Sequence, residues 1–251
     1  METKKKRCTA IVLAAGSGKR MGGTTAKQFL LLEGRPVIWY SLDAVERSEI
    51  IDDCILVTGT EDMDYIRQEI VGKYGFSKVD SIVVGGRERC ESVYHAICAV
   101  ADGHMTVPNR DGYIFIHDGA RPFLTEEILQ NTYREVCLHR ACVPAVPVKD
   151  TIKIADENGF AVRTPDRKLL WAVQTPQVFE TELIISAYRK LFAESGREGR
   201  LPAVTDDAMV VEKMLGIPVK LAEGSYGNIK ITTPEDMVTA CDFLKKNKKS
   251  C

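Results

Sequence analysis

The stretch AIVLAAGSGKRMGGTTAKQF, residues 10–29, runs from six apolar residues into a turn with glycines at 16, 18, 22 and 23 and three cations, Lys19, Arg20 and Lys27. The apolar run reads as a buried strand. A glycine-rich turn leaving such a strand can wrap backbone N–H groups around an anion. Two familiar anion loops fail on spacing. A Walker loop needs Gly, four residues, then Gly-Lys-Ser/Thr, but Gly18-Lys19 is followed by Arg20, and Leu13 stands where the first glycine belongs. A dinucleotide fingerprint needs a third glycine where Met21 sits, and Glu46 and Glu49 fall past the middle of the next helix instead of ending a second strand. The loop carries more side-chain charge than either motif, which suits a triphosphate with a reacting phosphorus. A solvated basic turn is the other reading, since Gly and Lys are common in ordinary surface turns.

Outward from this loop, short β-branched runs alternate with amphipathic stretches of helical length, the pattern of a parallel sheet covered by helices. Strands are expected at 9–14, 54–58, 81–84, 113–117 and 141–147, and helices from near Pro36, Glu61, Arg89 and Thr125. Thr125-Glu126-Glu127 places a hydroxyl and two acids at the positive end of the last of these. After Pro147 residues 148–154 alternate polar and apolar, Asn158-Gly159 offers a type I′ turn, and residues 160–164 return, so the sequence predicts a β-hairpin arm over 148–166. A lone hairpin is marginal in water; it must lie on its own sheet or reach a second copy of the chain. Helices resume near Glu180 and Thr205, a strand is expected at 218–222, and a closing helix starts at Thr233-Pro234. The expected class is α/β: a mostly parallel Rossmann-like sheet with helices on both faces and a protruding arm, built as one domain over 1–251.

Composition narrows the function classes. The 251 residues carry 34 Lys+Arg against 35 Asp+Glu, a net charge of −1, so there is no overall basic field for nucleic acid or anionic lipid. No apolar run approaches the roughly 18 residues of a membrane span. The N-terminus lacks a signal-peptide core, and a cytosolic protein is expected. Eight cysteines form no C-x-x-C pair and read as reduced packing residues.

Three further stretches put polar groups where strand ends should cluster. GGRERCESV (85–93) turns from strand to helix; its glycines permit close approach of a flat ligand, and Ser92 can donate a hydrogen bond. IHDGARPF (116–123) ends an apolar strand with Asp118, a candidate Mg²⁺ ligand, and Arg121, a candidate phosphate clamp. GNIKITTPED (227–236) places Lys230 in an apolar strand, where a bare ammonium is costly unless it meets an anion. Of four histidines, only His117, beside Asp118, is a candidate for chemistry.

The ordered set AAGSGKRMG…KQF, GGRERCESV, HDGARPF, PVKDTIK, DRKLLWAVQTPQVF, TDDA and GNIKITTPED resembles the 2-C-methyl-D-erythritol 4-phosphate cytidylyltransferase family over nearly the whole chain. The resemblance implies transfer of a cytidylyl group from CTP to that polyol phosphate, with Mg²⁺, in a homodimer whose arms cross to the partner's pocket. It implies that Arg20 and Lys27 stabilise the transition state, that Ala14, Ala15, Gly16, Ser17, Gly18, Lys19, Gly86, Arg87 and Ser92 hold the nucleotide, and that Asp118 positions the metal. Arg121, Thr151, Arg167, Thr205 and Lys230 match positions that grip and aim the acceptor, Arg167 and Lys230 being counted among the catalytic groups, and Thr175 shapes the same site. Arg87 stands where relatives often have an acid, so contact there is expected through its backbone. Three other readings remain: a cytidylyltransferase acting on ribitol 5-phosphate, a nicotinamide-dependent oxidoreductase on a Rossmann sheet, and a non-catalytic nucleotide-binding module.

Overall fold

The computed structural model describes residues 5–16, 26–198 and 203–248. In chain order the elements are β1 (Cys8–Ala14), the two-residue strands β2 (Leu31–Leu32) and β3 (Arg35–Pro36), α1 (Val37–Arg47) and β4 (Asp53–Thr58). Next come α2 (Met63–Tyr65), which runs on as a π-helical turn Ile66–Gly72, then β5 (Val79–Val84), α3 (Arg89–Ala101), β6 (Tyr113–Asp118), α4 (Glu126–His139) and β7 (Ala141–Pro147). The remainder comprises β8 (Ile154–Ala155), β9 (Ala161–Arg163), β10 (Trp171–Val173), β11 (Gln177–Glu180), α5 (Thr181–Glu198), α6 (Asp207–Leu215), β12 (Lys220–Glu223) and α7 (Pro234–Lys248).

Among the described residues the main sheet has eight strands. β1 lies between β4 and β6, parallel to both, and β5 continues parallel beyond β4. β11 runs antiparallel between β6 and β7, β10 is antiparallel to the far half of β7, and β12 is parallel to β7. After β1 the chain builds one side of the sheet, then crosses back through α3 to place β6 on the other side. The strand order therefore reverses between β1 and β6, and the crevice at their C-terminal ends is where α/β sheets take ligands.

The expected helices on both faces are present. One apolar cluster packs α3, α5 and α6 on Ile11, Ile55, Val57 and Ile116; another packs α1 and α4 on Val12, Leu56 and Phe115. Alternate residues of the buried strands thus serve opposite cores. Thr125 caps α4 by accepting from the Ile128 N–H at 3.3 Å, as its position suggested. No described helix is long and apolar enough to cross a membrane, and the seven described cysteines are all free thiols.

Three local expectations need correction. The arm is paired only between β8 and β9, a small sheet apart from the main one. Its turn is not type I′, which needs positive φ at two residues; only Gly159 takes one, +84°. Instead the Asp156 carboxylate accepts from the Asn158 and Phe160 N–H groups, and the Gly159 N–H reaches the Asp156 carbonyl, a longer turn closed by its side chain. Lys230 lies in no strand; its segment holds on by the Ile231 N–H to the Ala120 carbonyl at 2.8 Å.

Candidate active site

The β1 end of the crevice is set by the buried Gln28, whose Nε2 donates to the carbonyls of Ala14 (2.5 Å) and Gly16 (3.1 Å). Opposite, Gly119 directly follows β6 and its N–H meets the Leu13 carbonyl at 2.9 Å. A Cβ there would stand 2.8 Å from that carbonyl and 2.3 Å from Ile38 Cδ1, so only glycine lets the two strand ends close up. Between them lies a cavity of about 310 Å³, lined among others by Ala15, Gly16, Lys27, Arg87, Arg89 and Asp118. A smaller one of about 140 Å³ is lined by Arg121, Thr175, Gln177 and Thr205, and shares Arg89 and Asp118 with the first.

Asp118 is the hub. Its Oδ2 accepts from Lys230 Nζ at 2.7 Å, its Oδ1 accepts from Arg89 Nε at 3.2 Å, and Arg121 Nε stands 3.8 Å from Oδ2. Burial alone would raise this carboxyl; the charges of Arg89, Lys230 and Arg121 outweigh it and hold it below the usual carboxylate range. Asp118 is thus ionised at neutral pH and ringed by three cations. The costly ammonium anticipated at Lys230 has found its anion.

Thr175 and His117 support that hub from beneath. The Thr175 hydroxyl accepts from the Asp118 N–H at 3.0 Å and lies 3.1 Å from His117 Nδ1. The Arg121 carbonyl sits 3.3 Å from His117 Nε2, which must therefore carry the proton and leave Nδ1 to accept from Thr175. Burial pushes the imidazole down to about 4, so it is neutral. Both its nitrogens are engaged, and the Thr175 hydroxyl is spent inward.

The glycine loop before α3 is closed upon itself. Ser92 Oγ accepts from the Gly86 N–H at 3.0 Å and donates to the Glu88 carbonyl at 3.1 Å, so its proton is not free for a ligand. Glu91 Oε2 accepts from the Arg87 and Glu88 N–H groups at 2.6 and 3.0 Å, so the Arg87 amide is already engaged within the loop. A Cβ on Gly86 would lie 2.2 Å from Glu91 Cβ, and one on Gly85 2.5 Å from Ala15 Cβ. These glycines let the loop pack on α3 and on Ala15, the residue after β1.

Sequence reasoning passed over two groups here, Gln28 and Arg89. Arg89 begins α3, and its Nη1 and Nη2 bind Asp207 at 3.0 and 2.7 Å while its Nε takes Asp118. Asp207 is wholly buried and also accepts from the Tyr188 hydroxyl at 2.5 Å. Gln177 Oε1 accepts the Asp207 and Ala208 N–H groups, which fixes the start of α6 beside Thr205.

The structure gathers Lys27, Asp118, Arg121, Thr175 and Thr205 around the two cavities and brings Lys230 to them through Asp118, with Ala14, Ala15, Gly16, Gly86, Arg87 and Ser92 forming or backing their walls. Ser17, Gly18, Lys19 and Arg20 lie outside the described residues. Thr151 and Arg167 are exposed on the arm and its base and line neither cavity of their own chain; Arg167 Nη1 donates to the Lys149 carbonyl at 3.0 Å.

A mostly parallel sheet whose switch point holds a cation-ringed carboxylate between two adjoining cavities has the architecture in which α/β proteins take their ligands. Comparison with known proteins narrows the class. The family model for 2-C-methyl-D-erythritol 4-phosphate cytidylyltransferase matches residues 8–246. Proteins of that name are 48% identical to this chain in Lachnospira eligens, over 94% of this chain and 99% of theirs, and 46% identical in Caldanaerobacter subterraneus, over 95% and 99%. The crystal structure of 4-diphosphocytidyl-2C-methyl-D-erythritol synthase from Anaerococcus prevotii superposes with a TM-score of 0.80 at 33% identity, covering 96% of this chain and 97% of that one. The chain belongs to the 2-C-methyl-D-erythritol 4-phosphate cytidylyltransferase family.

Proposed function

We propose that this chain transfers a cytidylyl group from CTP to 2-C-methyl-D-erythritol 4-phosphate, giving 4-diphosphocytidyl-2-C-methyl-D-erythritol and pyrophosphate. The observation that carries the reading is Asp118, which with Arg89 lines both cavities and is met by Lys230 at 2.7 Å and by Arg121, a wall residue of the smaller cavity, at 3.8 Å. The nucleophile is a phosphate monoester whose second pKa is about 6 and which is already mostly dianionic at neutral pH, so no general base is needed. What the reaction lacks in water is a way to bring two polyanions together and hold the charge gathering at the α-phosphorus.

In this reading Lys27 and Arg20 stabilise the transferring phosphoryl group. Ala14, Ala15, Gly16, Ser17, Gly18 and Lys19, with Gly86, Arg87 and Ser92, enclose the nucleotide. Arg121, Thr205 and Lys230, together with Thr151 and Arg167, hold the acceptor; Thr175 fixes the backbone of Asp118.

Among the described residues no group of three metal-binding side chains occurs, so there is no closed protein cage for a metal. A single carboxylate, Asp118, suits Mg²⁺ carried in by a triphosphate, because that ion keeps several waters and takes one or two carboxylates plus phosphate oxygens. Held there, Mg²⁺ would neutralise part of the triphosphate's charge.

The reading also takes residues 1–251 as one domain whose arm, 148–166, pairs two chains across the active sites in a cytosolic homodimer. Exposed Ile152, Ile154, Phe160, Val162 and Leu169 support an apolar contact there. Purified protein given CTP and Mg²⁺ should release pyrophosphate with methylerythritol phosphate and not with ribitol 5-phosphate; the reverse preference would overturn the proposal. Calorimetric binding of NAD(H) without response to CTP would instead favour an oxidoreductase.

A further inference from the structure

Three cations face Asp118, but they are not held alike. Arg89 makes three hydrogen bonds to carboxylates, two of them a fork on Asp207, which is wholly buried and further tied by Tyr188. Moving Arg89 would strand a buried carboxylate, which is among the costlier events in a protein interior. Arg121 is also anchored, its Nη1 donating to the Asn228 carbonyl at 2.7 Å. Lys230 reaches Asp118 on a flexible four-carbon stem, its side chain is 36% exposed, and its ammonium can turn without breaking a fork. The oxygens are divided accordingly: Oδ1 goes to Arg89, and Oδ2 to Lys230.

We propose that Arg89 is a positioning residue that pins Asp118 through Oδ1, so that Lys230 is the exchangeable counter-ion that leaves Oδ2 for the phosphate of the incoming acceptor. With Arg89 in place, Asp118 remains compensated and aimed after Lys230 has gone. Without Arg89, Lys230 is the only cation within hydrogen-bond distance of that carboxylate among the described residues, and an arriving phosphate must compete with it. Arg89 and Asp118 also border both cavities, so the same clasp ties the wall of the nucleotide pocket to α6 and Thr205 on the acceptor side. This inference rests on the reaction proposed above.

The test compares wild type, Arg89→Gln, Arg89→Lys, Lys230→Met and the Arg89→Gln/Lys230→Met double variant, each judged folded by circular dichroism. Calorimetric titration with methylerythritol 4-phosphate in the presence of CTP, with Mg²⁺ withheld so that the pair does not react, and steady-state kinetics with Mg²⁺ are read for each. Wild type is assayed first, and its failure to release pyrophosphate would sink the proposed function, not this inference. Given an active wild type, Arg89→Gln should weaken acceptor binding and lower kcat, each by roughly tenfold, as for loss of one charged hydrogen bond. Arg89→Lys should recover part of both. The double variant should fall within about threefold of the worse single variant, since both changes act on one carboxylate. Acceptor binding and kcat within about twofold of wild type in Arg89→Gln, or fully additive losses in the double variant, would overturn the proposal. If Arg89→Gln does not fold, Arg89→Lys alone decides: it keeps a charge but loses the fork, so weaker acceptor binding supports the assignment and unchanged binding refutes it.

Discussion

Lys230 Nζ lies 2.7 Å from Oδ2 of Asp118, 112 residues away in sequence and itself on the wall common to both cavities. Asp118 is only 8% exposed, so its charge is affordable only because cations surround it. Asp118→Asn should leave Arg89, Lys230 and Arg121 repelling one another around a neutral amide and lower stability by about 3 kcal/mol at pH 7, measured by urea denaturation. A loss no larger than that of a surface Asp→Asn control would mean the cations hold each other apart without it.

Lys27 borders the larger cavity. Lys27→Ala should reduce kcat by roughly 10²-fold while CTP affinity changes much less, the signature of a contact made mainly in the transition state. Equal losses in binding and turnover would mark Lys27 as a plain nucleotide anchor.

The exposed arm residues carry a prediction about shared sites. Arg167→Ala and Lys27→Ala subunits, co-expressed, should form mixed dimers in which one site has both residues intact if the arm crosses over. Such mixtures should recover activity well above either single variant. Recovery no greater than the residual activity of the singles would mean that each chain completes its own site.

His117 supplies a pH-dependent term. Its folded pKa of about 4 lies below the ordinary 6.5, so the unfolded chain binds the proton more readily and stability falls as pH drops from the unfolded value toward the folded one. The loss between pH 7.5 and pH 5 should be about 2 kcal/mol from this residue. Urea midpoints of wild type and His117→Asn at the two pH values test it, and parallel slopes would refute it.

Gly119 offers a stability test away from the charges. Gly119→Ala sets a Cβ 2.8 Å from the Leu13 carbonyl, and the strand ends should part at a cost of about 1–3 kcal/mol. An unchanged thermal midpoint would show that the crevice has slack.

Much of this was legible in the sequence because buried parallel strands are nearly continuous apolar runs. β1, β4, β6 and β7 announce themselves that way, the half-buried edge strand β5 only through its last apolar residues, and Asp118, Arg121 and Lys230 stand out as charges at the edges of apolar runs. β10 and β11 do not: they have three and four residues, Pro176 separates them, and β10 is exposed along its length. The arm was legible as a hairpin but not in its turn, because the Asp156 carboxylate competes with the turn that Asn158-Gly159 suggests. Arg89 was hidden among neighbouring charges, since nothing local to Arg87-Glu88-Arg89 says which one faces inward. The partner that decides the matter, Asp207, is 118 residues away. The inward use of the Ser92 hydroxyl and the Arg87 amide was invisible for a related reason: it depends on how tightly the loop folds onto α3.

The account holds that cations, with no proton shuttle, let two phosphate esters react, and the pH dependence of kcat in wild type and in His117→Asn tests this most directly. Both profiles should rise once, at or below the acceptor's second ionisation near pH 6, and then stay level to pH 9. A further rise above pH 7 in wild type that disappears in His117→Asn would reveal a general base and contradict the account.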